Sequence, residues 1–499
     1  MDLRRLVLLL PMMLLTAPGR AAGADPALLW STKVQPLLDR HCVKCHGPIE
    51  EHGGLELDTP AAVLAGGDGG AVVVAGRPES SRLSLNLEPG AEMHMPPDKQ
   101  LTDEEREVVR AWISALESPS ETHAASTGAP PRAFASVTEA IDGLMAEAWT
   151  RRGVEPAPPV DDATWCRRVW LDLAGRIPTD AEQSEFLQAP ADTRRATLVD
   201  RILDSDEHAV RMRELWDVFL LGRGKRESRE ERRRTSGWWA YLERAFRANR
   251  PWDAIVREIL VARPTGPEDQ GASWFLYERR NDHQAIAEAV APLVYGARID
   301  CAQCHDHPLA REIKQAHYWG LVAAFNRGKN VDGSTDVAES AVGGFVNFTN
   351  LKKESQPALV TLLGGATVAE ARPEDGRQEE DGDERYVDPT AKPRVPKFSR
   401  REAFAAAATS GNPLLARALV NRLWTVLVGR GIVSPVDEMT TRNAPSHPEL
   451  LDWLATDFAA HHHDIRREVR GIVLSRVYAL GRAPAAADGD DPAAFAGAI

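Results

Sequence analysis

The sequence predicts a mainly α-helical protein: a small helical domain, then a larger helical region with a minor β insertion. Apolar residues recur at helical spacing through most of the chain. Thr102, Thr179, Ser399 and Ser446 are each followed three residues on by Glu, the pattern of a helix start. Alternating and β-branched runs gather only in residues 331–365. A chain of 499 residues suffices for about three domains. With 43% hydrophobic and 27% charged residues, neither a disordered chain nor a multi-span membrane protein fits. The net charge of −13 supplies no basic field for a polyanion, so no nucleic-acid partner is expected.

Taken in order, Arg4 and Arg5 precede an apolar run from Leu6 to Leu15, and Ala22-Gly23-Ala24 follows with the small residues a signal peptidase accepts. Residues 1–24 therefore read as a signal peptide. The run is about half of what spans a bilayer, so no stable transmembrane segment is expected after cleavage. The protein is expected to be exported, to a periplasmic or cell-envelope location. In residues 25–117, Leu28, Leu29, Val34, Leu37 and Leu38 give one helical face, and Gly53-Gly54, Gly66-Gly67 and Gly69-Gly70 punctuate a loop-rich stretch. Thr102 and Glu105 then open a helix with a stripe of Val108, Val109, Trp112, Ile113 and Leu116, which should close the domain over residues 27–45.

Residues 118–133 are a Ser, Thr, Ala and Pro-rich linker. Residues 134–330 are largely helical; Trp238, Trp239, Tyr241, Trp252 and Trp274 read as core, and Cys166 as a buried structural thiol. The charge run 225–234 reads as a solvated face, with a docking patch as its alternative. Residues 331–398 form a β-containing and acidic flexible insertion, in which 369–396 carry almost no large apolar residue. Residues 399–482 are a C-terminal helical domain, and 483–499 a frayed tail.

Cysteine usage decides the chemistry. There are five, too few and too uneven for a disulfide framework. Four fall in two copies of one pattern: Cys42, Cys45 and His46, then Cys301, Cys304 and His305, both matching Cys-x-x-Cys-His, the signature of covalent c-type haem attachment. On one helical turn, residues i, i+3 and i+4 share a face, so both thiols reach the porphyrin vinyl groups while the histidine faces iron. Haem attachment is made outside the cytoplasm, where the leader sends the chain. The alternatives are a redox dithiol, a structural disulfide, or zinc, with His52 or His94 joining the first set and His307 or His317 the second. Met95 precedes Pro96 and Pro97, which hold it in an extended loop from which its thioether can complete the first iron; the neighbouring His94 competes for that role. For the second iron, His283, His317 and His447 are candidates, and an open five-coordinate site stands beside them.

The segments VQPLLDRHCVKCHG, GGLELDTPAAVLAGG, VVAGRPESSRL and MHMPPDKQLTDEEREVVRAWI resemble the cytochrome c-like domain of the planctomycete cytochrome C family. That resemblance implies haem held by Cys42, Cys45, His46 and Met95. WLDLAGRIPTDAE, RANRPWDAIVREIL and AEAVAPLVYGARIDCAQCHDHP resemble the family's second domain, departing from it at Leu309 and Ile313. GNPLLARALVNRLWTVLVGRGIVSPVDE and PSHPELLDWLATDF resemble its C-terminal domain. There Asn421, Arg422, Asp437 and His447 could form a polar site, although capping and bridging helices is the commoner role. The expected function is one-electron transfer by haem c, on two haems, with an undefined redox partner protein. The rivals are a haem-dependent oxidoreductase with a catalytic five-coordinate second haem, and a binding or scaffold protein with zinc at the second motif.

Overall fold

The computed structural model describes residues 26–47, 52–67, 70–91, 93–116, 132–222, 227–307, 310, 312–365, 367–373, 379–481 and 495. The leader, residues 118–131 of the linker, and the tail apart from Phe495 lie outside them. They group into two compact units, Met1–Ser126 and Thr127–Ile499. The architecture is mainly helical, with two small antiparallel sheets, as the patterning predicted. No described helix is long and apolar enough to cross a membrane.

In the first unit, helix Pro26–Leu29 runs through a π-turn, Trp30–Val34, into helix Gln35–His41, with Pro36 in the latter's first turn. Helix Asp103–Ala115 packs across them and buries Val109, Trp112 and Ile113. It starts where predicted: Thr102 accepts the N–H of Glu105 while Glu105 accepts that of Thr102, satisfying two otherwise unpaired donors. The rings of Trp30 and Trp112 meet at 4.9 Å. Between these helices the chain is mostly loop, fixed by side chains. Ser81 Oγ accepts from the N–H of Val74 at 2.9 Å, and Arg82 donates to the carbonyls of Gly70 and Ala71. Gly66 has φ of 77°, and a Cβ there would stand 2.4 Å from the carbonyl oxygen of Gly70, so only glycine fits. Because Trp112 joins both helical layers, Trp112→Ala should cost this unit about 3–5 kcal/mol. Denaturant unfolding of the loaded full chain, followed at the haem band, measures it; a loss below about 1 kcal/mol would place the tryptophan outside the core.

The second unit is a helical assembly around one continuous core. Helix Asp206–Leu221 packs on Trp238–Arg247, and helix Pro413–Val428 lies between Pro448–Ala460 and His283–Tyr295. Trp238, Tyr241, Trp252, Trp274 and Cys166 are buried, Trp239 packs at the core's edge, and burial pushes the Cys166 thiol up to about 11. The β insertion consists of strand Gly328–Asn330 against Val337–Glu339, with Lys329 opposite Ala338, and Asn347–Thr349 against Ser355–Pro357, with Phe348 opposite Gln356. Glu339 ties the first hairpin to helix Arg400–Thr409. Its buried carboxylate accepts from Ser399 Oγ at 2.5 Å and pairs with Arg263 at 3.1 Å and Arg401 at 3.3 Å.

Four sequence-level expectations change here. The run 225–234 is not wholly solvated: Arg233 is 1% exposed, because Asp217 (3.0 Å), Glu278 (3.2 Å) and the carbonyls of Leu221 and Gly222 give its guanidinium a full set of acceptors. Ser446 and Glu449 form no capping box. His447 is the N-cap residue, Pro448 supplies no N–H, Ser446 Oγ instead donates to the carbonyl of Ile432 at 3.0 Å, and Glu449 pairs with Arg132. The acidic stretch 369–396, expected to be flexible, is anchored by the buried Tyr386, whose hydroxyl donates to Asp381 at 2.6 Å under the guanidinium of Arg394. In the tail, Phe495 is 1% exposed, seated against Trp424 and His447 with ring centroids 5.5 Å away in each case.

Candidate haem sites

The first motif follows directly from helix Gln35–His41. The N–H groups of Cys45 and His46 both bond to the carbonyl of Cys42, at 3.1 and 2.9 Å, closing one more helical turn. Such a turn brings Cys42, Cys45 and His46 to one face. Both cysteines are free, Cys42 buried in the unit's core and Cys45 half-buried. Burial, and then the neighbouring Cys45, push the Cys42 thiol up to about 11, so it stands as a neutral S–H at physiological pH. Nδ1 of His46 is buried with no hydrogen-bond partner, and the His52 ring lies across it at 6.2 Å.

On the loop before helix Asp103–Ala115, the N–H of Met95 donates to the carbonyl of Asn86 at 2.7 Å, and the side chain is half-buried. Its neighbour His94 has a buried Nε2 that also lacks a partner. This single small unit therefore holds two free thiols, a thioether and two buried imidazole nitrogens that no protein group satisfies. That donor set fits a covalently attached haem: thiols for the vinyl groups, an imidazole, and a sulfur or second imidazole.

The second motif is built differently. Residues Asp300–Gln303 form one 3-10 turn, and both Cys301 and Cys304 are exposed and free. The turn is held on helix Gln315–Phe325: the carbonyl of Gln303 accepts from Trp319 Nε1 at 2.9 Å and from Gln315 Nε2 at 3.2 Å, while Asp306 Oδ1 accepts the N–H of Gln315 at 2.8 Å. His305 Nδ1 lies 2.6 Å from the carbonyl oxygen of Asp306. Asp306, Gln315 and Trp319 were not singled out from sequence. An acidic residue directly after the motif, nine positions before a helix start, was the signal for them. Burial lowers the pKa of both His307 and His317. Among the described residues, no group of three or more His, Cys, Asp or Glu side chains is arranged to hold a metal ion. A cavity of about 970 Å³ bordered by His283, Lys329 and Tyr386 includes none of the motif residues.

Two family descriptions of unknown function (DUF1549 and DUF1553) match residues 140–330 and 400–495, and planctomycete cytochrome C matches residues 42–99. The last span contains Cys42, Cys45, His46 and Met95, and the first contains the second motif. The chain carries a planctomycete cytochrome C domain at residues 42–99, followed by the two domains of unknown function. No curated protein and no solved structure matches it. The cytochrome C domain suggests a c-type cytochrome and implies haem c as the cofactor.

In the C-terminal part of the chain, polar residues bridge elements. Asn421 Nδ2 donates to the carbonyl of Val433 at 2.9 Å and its Oδ1 accepts the N–H of the same residue at 2.8 Å. Arg422 pairs with Asp437 and stacks on Phe219, and the carbonyl of Asp437 takes the N–H of Arg298. His447 occupies the N-cap position of helix Pro448–Ala460 without a side-chain cap bond, and its pKa is driven down to about 3, first by burial and then by Arg152 and Arg151. The bridging role expected of the four is met by Asn421, Arg422 and Asp437.

Proposed function

We propose that the chain is an exported di-haem c-type cytochrome that passes single electrons to or from a redox partner protein. The observation that carries this is the repeat: four of five cysteines stand as two free Cys-x-x-Cys-His turns, one on each compact unit. When bound, haem supplies the one-electron couple. At the first site, Cys42 and Cys45 would tether it, His46 and Met95 would supply the imidazole and thioether for its iron, and Trp30, Leu37, Leu38, Val109 and Trp112 line the apolar core that Cys42 joins. At the second, Cys301 and Cys304 offer exposed thiols for attachment, and His305 is held by Asp306. The leader of residues 1–24 puts the chain where attachment is made.

Pyridine haemochrome, with elemental iron and zinc, on protein exported from a host with haem-attachment machinery tests the reading. Two covalent haems per chain are expected. One haem with one zinc would leave the first site and replace the second by a metal staple; none would end the proposal.

A further inference from the structure

We infer that an iron carried by Cys301, Cys304 and His305 finds no second protein ligand among the described residues, and so keeps a position for a small exogenous ligand of the class of carbon monoxide or azide. This rests on reading the second motif as a haem site.

A neutral imidazole has one protonated nitrogen and one with a lone pair, and only the second binds a metal. Hydrogen bonds decide which is which. The partner of His305 Nδ1, 2.6 Å away, is the carbonyl oxygen of Asp306, which only accepts. Nδ1 therefore carries the proton, and the lone pair is on Nε2, as in metal-bound imidazoles held by a backbone carbonyl. Its neighbours have the opposite arrangement. His317 Nδ1 accepts the N–H of Lys314 at 3.0 Å, and His307 Nδ1 accepts that of Ala310 at 2.9 Å. In both, the lone pair is spent on a backbone donor and Nε2 bears the proton.

The charged side chains beside the motif are engaged as well. Lys314 Nζ is 3.3 Å from Asp306 Oδ2, and Glu312 accepts from the N–H and the hydroxyl of Thr441, both at 2.7 Å. On the segment bridged to Ala297 through Glu438, Met439 packs its sulfur against Gly296 beside Ala418. His283 is anchored elsewhere, its Nε2 donating to the carbonyl of Gly328 at 2.9 Å, and His447 is buried against Phe495. Both thiols of the motif are exposed, so solutes reach this turn.

The test uses the two-haem protein. Reduced protein titrated with carbon monoxide should bind it at half of the total haem, and ferric protein should show half of its iron high-spin. Azide added to the ferric form should convert that half while the methionine-to-iron absorption band of the first haem persists, which identifies the responding haem without a variant. The double substitution Cys301→Ser with Cys304→Ser should abolish the response and leave one haem. Two low-spin haems inert to carbon monoxide, or a response that survives the double substitution, would overturn the inference while the di-haem reading stood. A count of one haem in the unaltered protein would instead overturn that reading.

Discussion

Alanine at Met95 is expected to erase the methionine signature from the haem spectrum and lower the first reduction potential by on the order of 0.1 V, within the roughly 0.8 V that axial ligands span, yet leave the iron low-spin. The first two effects follow from the proposed ligation, since a thioether opposite histidine favours the reduced iron. The third follows from His94. Its Nε2 is buried without a hydrogen-bond partner, and leaving such a group unmet costs about 1–3 kcal/mol. When the thioether is removed, the adjacent imidazole gains by moving to the metal. The loop need not be rebuilt, because the Met95 N–H is tied to the Asn86 carbonyl whatever the side chain. Replacing His94 as well should then give a high-spin iron. Electron paramagnetic resonance and a potentiometric titration of both variants check this. An unchanged potential and band in the single variant would remove Met95 from the site.

Much of this was legible in the sequence because it depends on neighbours along the chain. The boxes Thr102–Glu105 and Thr179–Glu182 close as their spacing requires, and the stripe through Val109, Trp112 and Ile113 is the buried face of its helix. The Cys42 turn forms from two bonds within five residues. What the sequence hid depends on partners far along the chain. Arg233 reads as one more charge in KRESREERRR, and only Asp217 and Glu278 make it an inward residue. Ser446 has the spacing of a cap, but Pro448 and the distant Ile432 carbonyl redirect it. Spacing likewise leaves His283, His317 and His447 unranked, and the contacts that separate them run to Gly328, Lys314 and Phe495.

The two motifs share a sequence pattern but not a setting. Cys42 belongs to the apolar core of its unit, so a haem there would be part of the packing. Cys301 and Cys304 sit outside theirs, on a turn whose internal side, Ala302, alone is buried. Loss of haem should therefore unfold the first unit's core far more than the second's. The second unit is held by contacts that do not involve its motif, such as Arg400 with Glu370 at 2.7 Å and Arg401 with Glu339.

Substituting Glu468 should stabilise the second unit, by an amount that grows with pH. This side chain lies inside helix Ile465–Leu474 with no exposed surface, and neither carboxyl oxygen has a hydrogen-bond partner. Burial first, and then Asp457, push its pKa up to about 8, with Arg467 only partly opposing them. The unfolded chain loses this proton near pH 4.5, whereas the folded chain holds it until about 8. Between those values the native state binds more protons, so stability falls as pH rises, and it levels off above the folded pKa. Ionisation adds almost nothing to the cost of this side chain at pH 4 and about 3 kcal/mol at pH 7, on top of the roughly 1–3 kcal/mol of an unmet buried polar group at either pH. Leucine, of similar volume and without charge, removes it. Glu468→Leu should thus exceed the parent in unfolding free energy by about 1–3 kcal/mol near pH 4 and by about 3 kcal/mol more at pH 7. Denaturant titrations at both values decide the matter. An equal gain at the two would mean that the leucine acts through packing, and a loss at pH 7 would mean that the carboxylate is ionised and held by partners in the folded chain.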